Sequence, residues 1–133
     1  MIGMPPRFDA PTLEMFGRVR EVEIETTSLD GEQRHRTIIW IVVVGDEAYV
    51  RSEYADSGRW YRETRSEPQV TLHADGKAIP VTAVLANDAE TIEAVSDAYR
   101  AKYGERSPGS TDAMVAPHTL EHTLRLDARD ASA

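Results

Sequence analysis

Polar and apolar positions alternate strictly in Glu21-Val22-Glu23-Ile24-Glu25-Thr26, with Val22 and Ile24 on one side and three glutamates on the other, the period of a half-buried strand. An Asp30-Gly31 turn and the polar Gln33-Arg34-His35-Arg36 lead into Thr37-Ile38-Ile39-Trp40-Ile41-Val42-Val43-Val44. This run is apolar on both faces, which predicts one strand of a barrel wall that also packs against a helix or a second subunit. Gly45-Asp46 predicts a two-residue hairpin, with Glu47 to Ser52 returning antiparallel. Asp56 or Ser57 can cap a short helix over Arg59 to Arg65 that stops before Pro68. Val70 and Leu72 then alternate with Thr71 and His73, Asp75-Gly76 turns the chain, and Ile79, Val81, Ala83 and Leu85 define a longer strand. Pro80 removes a ladder donor there, which predicts an edge position or a bulge.

Asn87 and Glu90 resemble a capping box, and Ile92, Val95, Tyr99 and Tyr103 recur at helical spacing up to Gly104. Glu105 to Ser110 has loop chemistry, and Thr119 to Leu126 alternates as a last strand. Residues 1–18 and 127–133 are expected as a peripheral arm and tail of one domain spanning 1–133. The expected fold is mainly β: six antiparallel strands closing as a small barrel, with one long and one or two short α-helices.

Composition narrows the chemistry. With 133 residues, 41% of them apolar, the chain can bury a core without staples, and zero cysteines exclude disulfides, thiolate metal sites and cysteine nucleophiles. The longest apolar run, Ile38 to Val44, is too short to cross a bilayer, and the first residues carry no basic or apolar leader, so no membrane and a cytoplasmic location are expected. A net charge of −8 disfavours nucleic acid.

The charge is locally inverted between Arg51 and Arg65, where four arginines face three acids. Arg51 and Arg59 beside Ser52 and Ser57, at the start of a short helix, supply the guanidinium fork, the hydroxyls and the positive helix end that a phosphate or carboxylate requires. Equally, Arg59, Arg62 and Arg65 would serve as a solvated helix face pairing with Glu63. Tyr49, Tyr54, Trp60 and Tyr61 cluster near these arginines with Trp40 on the neighbouring strand; they would hold a planar heterocycle or anchor the helix in the core. His118 and His122 have helical ligand spacing, but alternation around His122 favours a hydrogen-bonded core histidine, and no metal site is expected.

Thr37 to Val44, Tyr49-Val50-Arg51-Ser52, Gly58-Arg59-Trp60-Tyr61-Arg62, Ala98 to Tyr103 and Thr123-Leu124-Arg125-Leu126 together resemble the successive blocks of the DUF2255 family. That family is similar in turn to the FMN-binding split barrels, which include pyridoxamine phosphate oxidases, flavin reductases and deazaflavin (F420)-dependent nitroreductases. The resemblance implies a split barrel, usually a homodimer, binding FMN or F420 and reducing a small organic substrate. By that resemblance Arg51, Arg59, Ser52 and Ser57 hold the phosphate, Trp60 and Tyr61 line the site, Trp40 lies near the ring, and Tyr54 is the candidate proton donor. This sequence lacks the glycine-rich loop of the deazaflavin relatives and has Glu53 and Asp56 there. The alternative is a barrel without cofactor that binds or rearranges a small organic ligand.

Overall fold

The computed structural model describes residues 7–129, in which seven strands form one antiparallel sheet in the order β2-β1-β5-β6-β7-β4-β3. The strands are β1 (Val22–Thr27), β2 (Arg34–Ile39), β3 (Val42–Val44), β4 (Glu47–Arg51), β5 (Gln69–Ala74), β6 (Lys77–Leu85) and β7 (Thr123–Ala128). β2 and β3 occupy opposite ends of this order, yet only Trp40 and Ile41 separate them in the chain. The sheet therefore curls until its two edges meet, which is a split barrel.

The expected six strands become seven because the run from Thr37 to Val44 breaks at Trp40-Ile41. The break is held from outside the sheet: Ile41 N–H donates to the Tyr103 hydroxyl at 3.3 Å and the Ile41 carbonyl accepts from Lys102 Nζ at 2.7 Å. Backbone groups committed to a helix cannot join a ladder. The expectation of a strand buried on both faces holds only for the second part of that run, where Val42 and Val44 pack with the long helix and Val43 against the barrel core; β4, which pairs with it, is covered on both sides as well. Ala48 and Val50 face the barrel interior with Val22, Ile24, Leu72, Leu124 and Leu126, while Val42 and Tyr49 face the long helix. In β2, by contrast, Ile38 points to solvent.

The hairpins follow their turn chemistry. Asp75 and Gly76 both have positive φ and join Ala74 to its partner Lys77, while Gly45, with φ of 61°, joins Val44 to Glu47. β6 is internal, not an edge, but its Pro80 lies where β7 ends: the Pro80 carbonyl accepts from Arg129 N at 3.1 Å, and the register with β7 begins at Val81. The missing donor thus lies on the β7 side at the very end of that ladder, where the paired register stops.

Four helices complete the fold: α1 (Ala10–Arg18), α2 (Arg59–Ser66), α3 (Ala89–Tyr103) and α4 (Pro108–Met114). The first eighteen residues, expected as an arm, contain α1, capped by Asp9 and burying Met15 and Phe16 in the barrel core. α3 is capped by Asp88, whose carboxylate accepts from Thr91 N at 3.0 Å, one residue later than the expected box. The helix ends at Gly104, as the spacing predicts, and Gly104 keeps a helical φ of −60°. α4 overlaps the expected loop and buries Thr111 and Met114, and a 3-10 turn at Pro117–His122 replaces the first half of the expected last strand. β7 itself continues through Ala128, past the expected start of the tail; the rest of that tail, 130–133, lies outside the described residues.

Lys102 ties these layers together. Its ammonium donates to the Phe16 carbonyl at the end of α1 and to Ile41 at the strand break, with no carboxylate partner among the described residues. Burial pushes its pKa down to about 8 from 10.5. Between these values the unfolded chain keeps a proton that the folded protein has released, so stability should rise with pH from about 8. The tyrosines act oppositely: burial first of all holds Tyr49 and Tyr103 up to about 12, so above about 10 the unfolded chain ionises first and stability should fall. Urea midpoints at several pH values should therefore peak between about 8 and 10, and Lys102→Met should remove the rise; an unchanged rise in that variant would refute the assignment.

Candidate functional site

Seven residues from Ser52 to Gly58 make the turn that carries the chain from β4 into α2, and they set one wall of a cleft. The Ser52 hydroxyl donates to the Ala55 carbonyl at 2.8 Å, Ala55 adopts a positive φ of 52°, and a 3-10 turn covers Ala55–Ser57. Gly58, not Asp56 or Ser57, caps α2, because the chain packs so closely that a Cβ at Gly58 would stand 2.8 Å from Ser52 Oγ. Glu53 and Asp56 are held from the far side: His118 donates to the Glu53 carbonyl at 3.0 Å, and His122 Nε2 meets Asp56 at 3.0 Å. The two histidines therefore position this turn and do not converge on one point. His122 is only partly buried, against the Tyr61 ring, and its Nδ1 has no partner.

The cleft has a volume of about 500 Å³ between β2, the β4–α2 turn and α4. Its lining includes Trp40, Arg51, Tyr54, Arg59 and Trp60 from the sequence-predicted set, with Ile38 and Met114 adding apolar surface. Glu21 and Glu53 add acidic charge to it. Ser52, Ser57 and Tyr61 are not part of the lining: Ser52 is spent on Ala55, Ser57 is exposed, and Tyr61 turns into the barrel core. Trp40 lies flat on Tyr103, with centroids 3.9 Å apart and planes within 5°, so its orientation is fixed before anything enters. Tyr54 is 70% exposed at the cleft.

Arg51 is 2% exposed, far from the surface position that its charge suggests. Its Nε donates to Thr123 Oγ1 at 2.8 Å, Nη1 to Ser96 Oγ at 2.8 Å and the Met114 carbonyl at 3.3 Å, and Nη2 to the Ile92 carbonyl at 3.1 Å. These bonds link β4 to β7, α3 and α4. The guanidinium also lies 5.5 Å from the Tyr99 ring centroid. Burial is the main influence lowering its pKa.

The sequence-based pairing of Glu63 with the surface arginines is overturned. Arg59, Arg62 and Arg65 form the exposed face of α2, but Glu63 is 3% exposed and faces the barrel. Its carboxylate accepts from Thr26 Oγ1 at 2.7 Å and from His35 Nδ1 at 2.9 Å, fastening α2 to β1 and β2. A signal was present in the sequence: Glu63 follows Trp60 by three positions, the same helix face.

Fold and cleft together define a small antiparallel split barrel with an aromatic, guanidinium-bearing pocket beside its second helix. The chain belongs to the DUF2255 family, described as uncharacterised proteins conserved in bacteria, whose model matches residues 12–126. Among solved structures it is similar to a conserved hypothetical protein from Mycobacterium tuberculosis, at 18% identity and a TM-score of 0.66 over 95% of this chain and 83% of that one. The haem storage protein HutZ from Vibrio cholerae matches at 13% identity and TM-score 0.64, over 94% and 92%. An F420-H2-dependent reductase matches at 14% identity and TM-score 0.58, over 81% and 93%. No curated protein matches the sequence. No helix of the described residues is long and apolar enough to cross a membrane.

Proposed function

We propose that this protein is a split-barrel oxidoreductase that holds FMN or F420 in the Trp40–Trp60 cleft and reduces a small organic acceptor, as a homodimer. The observation that carries this reading is the convergence of two tryptophans and two guanidiniums on one cleft of about 500 Å³. Solved neighbours that share the fold include an F420-H2-dependent reductase and a haem storage protein, each named for a flat redox group.

The donor set fits such a group in a reduced form. Trp40 and Trp60 offer stacking surface, and Arg59 with the first amides of α2 offers donors for a phosphate. The phosphate role expected for Ser52 and Ser57 passes to Arg59, since Ser52 is already bonded and Ser57 lies outside the lining. When bound, the cofactor supplies the hydride chemistry. The chain's own residues would orient and enclose: Trp40 is locked by Tyr103, Ile38 and Met114 add apolar lining, and the Tyr54 hydroxyl would deliver a proton to the acceptor.

A second reading, a barrel that binds a small organic ligand without cofactor, is favoured by the acidic Glu21 and Glu53 in the lining. Titration of the purified protein with FMN and with oxidised and reduced F420, followed by fluorescence and thermal shift, separates the two. Micromolar binding is expected, and Arg59→Ala should weaken it by about 1.5 kcal/mol, roughly tenfold. Failure of both cofactors with folded protein would leave the second reading.

A further inference from the structure

A buried charge is ordinarily paired, because removing it from water without a partner is costly. Arg51 breaks that rule. No carboxylate lies within ion-pair distance of it among the described residues, and all four of its acceptors are neutral hydroxyls or carbonyls. Arg100, which also acts on it, is likewise positive. A guanidinium has five N–H groups, so one N–H of Nη2 is left over. The Tyr99 hydroxyl, on the ring that the guanidinium overlies, and the Thr111 hydroxyl on α4 are both buried without partners among the described residues.

Arg51 nevertheless lines the cleft, with Trp40, Trp60, Ile39 and Met114 around it. We propose that the cleft takes a flat aromatic carboxylate whose acid group completes Arg51 while its ring lies against Trp40 and Trp60. This rests on the function proposed above only in using the same cleft, and it names the class of small molecule bound there. Each part of the lining has a role. The apolar surface matches a ring, and the uncompensated guanidinium matches a single negative charge taken out of water. The exposed Glu21 and half-buried Glu53, in the same lining, oppose a second negative charge and so favour a monoanion over a polyphosphate. The protein surface is acidic overall, which makes the internal cation the distinguishing attraction.

Matched acid and amide pairs test the idea without altering the fold. Benzoate and 2-naphthoate, and their carboxamides, are titrated into the wild-type protein with tryptophan fluorescence and calorimetry as readouts. The acids should bind about ten- to a hundredfold more tightly than the amides, and 2-naphthoate more tightly than benzoate. Arg59 lines the same cleft, so Arg59→Ala decides which guanidinium holds the acid: with Arg51 as its partner, the acid-to-amide ratio survives the change even where overall affinity falls. Equal affinity for acid and amide, a ratio lost in Arg59→Ala, or no binding of either acid would overturn the proposal. FMN and F420 titrations stand apart: their failure with naphthoate binding intact removes the redox reading alone, and the reverse pattern removes this one alone.

Discussion

Arg51→Ala is expected to lower folding stability by about 3–5 kcal/mol, and the thermal midpoint by roughly 10 °C or more. The loss has two sources. Truncation empties a large buried volume at the junction of β4, β7, α3 and α4, and it removes the donor from four neutral acceptors, some of which have no water to turn to. Thr123 and Thr119 keep their own bonds to the Leu120 and Met114 carbonyls, so the α4 junction should loosen without dissolving. Arg51→Lys retains the charge but not the planar fork, and a single ammonium cannot reach partners on three elements, so most of the loss should persist. Arg51→Met separates packing from charge: it refills the volume and removes an uncompensated cation, so it should cost clearly less than alanine. Denaturant unfolding with unchanged m-values reads all three. An alanine variant that loses under about 1 kcal/mol would mean that desolvation of the charge already offsets its four bonds.

Arg51 also marks where sequence reasoning ends. The strand at Val22 to Thr27, the two tight hairpins and the helix from Ala89 to Tyr103 were legible because each depends on neighbours in sequence: a period of two, a glycine at a left-handed position, a helical stripe. The break at Trp40-Ile41 carries no local mark. It is imposed by Lys102 and Tyr103, 61 and 62 residues after Ile41, so an unbroken apolar run concealed it. Helix α4 was hidden by Pro108, Gly109 and Ser110, whose turn chemistry outweighs a helix of only 7 residues although proline is well suited to a helix start.

The site shows the same division. The fold brings part of the cluster of arginines and aromatics together: Trp40, Arg51, Tyr54, Arg59 and Trp60 share one cleft. Which charges are buried was not legible, because a charged side chain reads as surface until its partners are known. Those partners are remote: Ser96 and Thr123 for Arg51, Thr26 and His35 for Glu63.

Glu63→Ala should cost about 2–4 kcal/mol, because it leaves the almost fully buried Thr26 hydroxyl only the His35 carbonyl at 3.4 Å and unfastens α2 from the β1–β2 hairpin. Glu63→Gln keeps an acceptor for Thr26 and should recover part of that. The double variant Thr26→Val with Glu63→Leu removes donor and acceptor together and leaves His35, which is partly exposed, to bond with water. It should therefore be more stable than the sum of its single changes by more than about 1 kcal/mol. The same helix carries Arg59 and Trp60, so a detached α2 must also widen the cleft. Ligand affinity in Glu63→Ala should fall, and in the double variant it should return with stability, since α2 is then seated by packing instead of by a carboxylate. If stability returned and affinity did not, Glu63 would matter to the cleft for its charge and not for the seating of α2.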